Sequence, residues 1–143
     1  MQKGYKICLL IYSGMLIFSI LFMLMLLGAS SHKVNLKSED LAIPVFALIS
    51  ISLLSIFPRV SSGKISVKLI VGVSAIVCLL ISLYFALENL FSTLTENLII
   101  EFKTFTTLFS GIFIATIIYL IKQIFIELHY IKGLGNRENK RRK

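Results

Sequence analysis

The chain has 143 residues, 57% of them hydrophobic and only 15% charged, with a formal net charge of +8. A water-soluble domain usually carries about 25% charged residues, and the mean hydropathy of +0.90 leaves more apolar surface than one small globule can bury. Composition therefore excludes an ordinary soluble domain and points to a single unit embedded in lipid.

Charge placement locates the elements. The stretches between Lys6 and His32, Asp40 and Arg59, Lys68 and Glu88, and Lys103 and Lys122 hold 25, 18, 19 and 18 residues without a charged residue or histidine. A helix crossing a ~30 Å hydrocarbon core needs about 20 apolar residues. The expected fold is an all-α integral membrane protein: four transmembrane helices in a small bundle over residues 1–135, then a basic cytoplasmic tail at 136–143.

The first helix is expected over 7–28, apolar all the way round as suits lipid and helix neighbours, with Tyr5 and Tyr12 near the cytoplasmic interface. The small residues Gly28-Ala29-Ser30-Ser31 resemble a signal-peptide cleavage site. The apolar run from Ile7 to Leu27 exceeds the roughly 7–15 residues of a secretory signal, however, so the helix is expected to be retained. A polar loop follows, in which His32 is read as solvated and Ser38 or Asp40 as an N-cap. The second helix, over 41–57, has Pro44 near its start and Pro58 at its end. Its 17 residues reach only ~26 Å, so it must stand nearly upright or thin the bilayer, with a re-entrant segment as the alternative. Ser50, Ser52 and Ser55 can donate to carbonyls one turn back.

The third helix is expected over 67–87, with Ser74, Cys78 and Ser82 at four-residue spacing. From Leu87 to Lys103 the apolar residues recur every three or four positions among Glu88, Ser92, Thr95 and Glu96. That pattern predicts an interfacial amphipathic segment between the third and fourth helices. The fourth helix is expected over 104–132, with Thr107, Gly111 and Ala115 as a second small-residue stripe and Gly133 and Gly135 marking its end. Small side chains let membrane helices approach closely. The two stripes are therefore expected to face each other or a partner, with a Ser82–Thr107 hydrogen bond between them. Cys8 and Cys78 read as small packing residues, at depths too different for a disulfide.

Placing both termini inside puts all but Lys33, Lys37 and Lys103 of the 15 Lys and Arg residues on the cytoplasmic side, as the positive-inside bias requires. A second helix that failed to cross would invert the bias for both following loops. The expected location is a cell membrane, multi-pass, with N- and C-termini cytoplasmic.

Chemistry is sparse. None of the four apolar cores holds an ionisable Asp, Glu, Lys, Arg or His, the usual mark of an ion or substrate path. Small multidrug exporters of similar length depend on a membrane-embedded glutamate in their first helix, which this chain lacks. No catalytic, metal or cofactor constellation is expected. Glu127, His129 and Lys132 read as a solvated helix face, and Lys140, Arg141, Arg142 and Lys143 as contacts for anionic headgroups rather than nucleic acid. The expected role is non-enzymatic, acting through helix–helix or protein–protein contacts with a membrane partner or a second copy. A bacteriocin-type immunity or accessory protein is one instance. The alternative is a subunit of a small pore or transporter, its polar path built from Ser, Thr and Tyr across several copies.

Overall fold

The computed structural model describes residues 3–29, 38–60, 64–95 and 100–143, and these are helical almost throughout, with no strand among them. Four helices follow one another: α1 (Lys3–Ala29), α2 (Ser38–Ile56), α3 (Ile65–Thr95) and α4 (Ile100–Arg141), with a single 3-10 turn, Phe57–Arg59, closing α2. The helices α1, α3 and α4 are long and apolar enough to cross a membrane, whereas the apolar stretch of α2, Pro44–Arg59, is shorter.

Neighbours in sequence are neighbours in space. The α3–α4 pair packs most extensively, α1 lies against α2 and α4, and α2 against α3. The register is antiparallel at each traced seam. Along α1 and α4, Gly4 meets Tyr119, Tyr12 meets Phe113 and Phe18 meets Phe109. Along α3 and α4, Ile65 lies by Gly135 and Gly72 by Leu128. The result is an up-down-up-down bundle with α1 and α3 on one diagonal and both termini at one end.

The α3–α4 seam shows why these residues face inward. The buried positions of α3 as a whole are Lys68, Gly72, Ala75, Leu79, Ser82, Ala86 and Thr93. Those on α4 include Ser110, Ile117, Leu120, Ile124 and Ile131. Both sets step by alternate fours and threes, or by sevens, giving a 3.5-residue repeat that stays on the partner as two helices coil left-handed. The expected stripes therefore do not face each other. A strict four-residue spacing drifts by about 40° per step around a helix of 3.6 residues per turn, so only Ser82 of its stripe is buried. Ser74 and Cys78 are half-buried, and Gly111 and Ala115 face outward.

Three boundaries also move. The segment 87–95 is no separate interfacial element but the continuation of α3, and 100–103 opens α4; residues 96–99 lie outside the described residues. Neither Gly nor Pro interrupts the chain from Leu83 to Lys103, so the helical periodicity read there belongs to the long helices themselves. The Lys103 ammonium donates to the Leu94 carbonyl at 3.1 Å, satisfying an acceptor in the last turn of α3. At the other end, Gly133 and Gly135 do not stop α4, which runs on to Arg141 and takes up most of the basic tail expected at 136–143. A glycine ends a helix by adopting positive φ, and no described glycine does so. In mid-helix each costs only ~1 kcal/mol relative to alanine. His32, Lys33 and Lys37 lie outside the described residues.

A candidate functional site on the bundle axis

Tyr12 is the centre of the molecule. Its side chain is fully buried, 0% exposed, where an interfacial position had been expected from its place near the start of α1. The hydroxyl lies 2.8 Å from Ser50 Oγ and 2.9 Å from Ser82 Oγ, and Ser82 Oγ also donates to the Cys78 carbonyl at 3.0 Å. Counting donors orients the chain, because each hydroxyl has one proton. Ser82 gives its proton to the carbonyl, so Tyr12 donates to Ser82 and Ser50 donates to Tyr12. The Tyr12 ring stacks on Phe113 of α4 at 5.5 Å, nearly parallel. One side chain of α1 therefore touches the other three helices. It bridges the α1–α3 diagonal, where no backbone-level packing occurs among the described residues.

A second tyrosine ties α1 to α2. Tyr5, also buried, donates to the Leu54 carbonyl at 2.8 Å. In an uninterrupted helix that carbonyl would accept from residue 58, but residue 58 is proline and has no N–H. The tyrosine supplies the donor that the proline lacks.

Closer to the shared end of the termini, Lys68 of α3 meets Glu127 of α4 at 3.1 Å, with the lysine side chain 7% and the glutamate 32% exposed. The ammonium also lies 5.5 Å from the centre of the Phe57 ring. Gly72, one turn along α3, makes room for this arrangement: a Cβ there would come within 2.8 Å of both Leu128 and Phe57. Lys68 was expected at the start of the third helix and Glu127 on a solvated face. The structure pairs them across the seam, while His129 and Lys132 are exposed as expected.

The sequence-derived packing residues are only partly assembled. Ser82 enters the Tyr12 node, but its expected partner Thr107 donates instead to the Lys103 carbonyl of its own helix. Nothing lies within 4 Å of a Cβ built on Gly111. Lys140 and Arg141 are exposed on the last turn of α4, with Arg142 and Lys143 just beyond. No group of three or more metal-type side chains occurs among the described residues, and none of their buried side-chain polar atoms lacks a hydrogen-bond partner. In the membrane core, an unpartnered polar group would be costly. The arrangement does one thing chemically: it uses hydroxyls to lock four apolar helices into one register. No family model, curated protein or solved structure matches the chain.

Proposed function

We propose that the protein is a four-span, multi-pass cell-membrane protein that acts without catalysis, through contacts of its helices with a membrane partner or with a second copy. All four helices cross, α2 included, and both termini are cytoplasmic. A role in immunity to a bacteriocin-like toxin, or as an accessory subunit, is the concrete form of this reading. The observation that carries it is the closed polar interior, in which Ser50, Tyr12 and Ser82 are all engaged in holding helices together. The layers along the axis from that node are Leu54, Leu79, Ile117, Leu120 and Ile124, all fully buried, which leave no hydrophilic file for an ion. The end of the bundle that holds the termini is strongly basic, with Lys3, Lys6, Arg59, Lys64 and Lys122 exposed. That matches the side on which short loops retain Lys and Arg and where anionic headgroups attract them.

Two measurements test the proposal. Purified protein in liposomes should give no flux of protons, potassium or small dyes above empty vesicles; a protein-dependent flux would establish the pore or transporter alternative. Expression in a sensitive bacterium challenged with membrane-active bacteriocin-type peptides should raise survival against one of them if the immunity form is correct.

A further inference from the structure

We propose that the tip of the α3–α4 hairpin, at the end of the bundle opposite the termini, is a docking face for a cationic amphipathic peptide helix. The inference rests on the contact-based reading above and names the chemistry of the partner. It begins from length. From Lys68 to Glu88 the helix α3 rises ~30 Å, the thickness of a hydrocarbon core, and it runs on to Thr95. The hairpin thus stands ~10 Å beyond the lipid tails and carries Phe91, Leu94 and Ile100 with it.

These side chains share one side of the hairpin. At about 100° per residue, Leu87, Phe91 and Leu94 lie about 80–140° round α3 from buried Ala86. Ile100 lies about 80° round α4 from buried Ser110 in the same sense, and in an antiparallel pair equal turns lead to the same side. That side faces away from α1, which meets α4 through Phe109 and Phe113 on the other flank. All four apolar side chains are exposed, Phe91 at 71% and Ile100 at 81%. A contiguous apolar band left uncovered by the chain's own packing marks an interaction site.

Charge selects the occupant. Glu88 borders the band on α3 and Glu101 borders it on α4, and both are exposed. Lys103, the sole basic side chain among the described residues of the tip, lies on the seam and turns its ammonium to the Leu94 carbonyl at 3.1 Å. Phosphates of a nucleic acid or of headgroups would therefore meet carboxylates instead of the cations they need. A second copy related by a two-fold axis along the membrane normal would set this face against itself, acids against acids. A helix with an apolar stripe and lysines or arginines along both of its flanks complements the band and its two borders together.

The test uses the full chain in nanodiscs of phosphatidylcholine, empty nanodiscs as the lipid blank, and a synthetic peptide of leucine–lysine heptads. Poly-lysine of equal charge, a leucine–glutamate heptad peptide and a single-stranded oligonucleotide serve as competing probes. The leucine–lysine peptide should bind at least about tenfold tighter than any of these, and tighter than it binds the blank by the same factor. Glu88→Lys with Glu101→Lys should weaken it about tenfold. Phe91→Ser with Leu94→Ser should reduce its affinity to that of poly-lysine, whereas Phe102→Ser, on the α1 flank, should change nothing. Binding no tighter than to the blank, tighter binding of the oligonucleotide or the acidic peptide, or indifference to both paired substitutions would each overturn the proposal. So would dimers of the chain that Phe91→Ser with Leu94→Ser dissociates, by assigning the band to a second copy. A protein that conducts ions yet still binds the peptide at this face would sink the contact-based function and leave this inference standing; a non-conducting protein that ignores the peptide would sink the inference alone.

Discussion

Replacing Tyr12 by phenylalanine separates what its hydroxyl does from what its ring does. The hydroxyl makes two bonds, at 2.8 and 2.9 Å, and bonds between membrane helices average about 0.6 kcal/mol each, so their loss costs ~1.2 kcal/mol. Ser82 keeps its bond to the Cys78 carbonyl, and Ser50 can turn to the carbonyl one turn back, which brings the net cost of Tyr12→Phe to about 1 kcal/mol. Tyr12→Ala also removes the stacked ring from a fully packed site, where truncating a large aromatic costs ~3–5 kcal/mol. Unfolding in mixed micelles, titrated with a denaturing detergent, measures both. A double-mutant cycle pairing Tyr12→Phe with Ser82→Ala should return a coupling of about 0.6 kcal/mol. If Tyr12→Phe proves as damaging as Tyr12→Ala, or if the cycles with Ser50→Ala and Ser82→Ala both return zero, the hydrogen-bonded node does not exist in the folded protein.

Gly72→Leu should lower thermal stability in detergent sharply, because its first carbon already collides with Leu128 and Phe57, whereas Gly111→Leu, with open space beside it, should leave the isolated chain unchanged. Glu127→Gln should cost about 1–3 kcal/mol by stranding the buried Lys68 ammonium, and adding Lys68→Met should recover most of that loss; chemical unfolding of the single and double variants decides it. Tyr5→Phe should destabilise by a similar ~1–3 kcal/mol through the unsatisfied Leu54 carbonyl, with partial rescue by Pro58→Ala, which restores an N–H to the turn. A lone cysteine at position 64, in a chain lacking Cys8 and Cys78, should resist impermeant thiol reagents added outside intact cells; ready labelling would reverse the proposed orientation.

Helix existence was legible from charge alone, because a lipid core tolerates so few ionisable groups that their gaps outline the elements. The packing was less legible. Small residues drew the eye to four-residue spacing, but helices that coil around each other meet every 3.5 residues. Buried Gly72, Ala75, Ser82 and Ala86 share only Ser82 with the set read off by fours. Tyr12 was misplaced for a related reason: a tyrosine near a helix start suits an interface as well as a core. The available clue was that Tyr12, Ser50 and Ser82 are hydroxyls well inside three separate charge-free stretches, where hydroxyls gain by meeting one another. The Lys68–Glu127 pair had no local signal, since its members are 59 positions apart and only the hairpin brings them together.

The length of α4 gives the bundle a mechanical character. From Lys122 to Arg141 the helix extends ~28 Å, and Ile65 at the start of α3 lies beside Gly135 and lines a cleft with Glu138. Hairpin and rod thus form one stiff lever, with the Tyr12 node near its fulcrum. A change of about 10° in the slant of the lever about Phe113, ~42 Å from the tip, sweeps Arg141 through ~7 Å, given a rise of 1.5 Å per residue. An ångström-scale adjustment where α1 meets α4 is thereby read out, magnified, at a tip far from the helices that caused it.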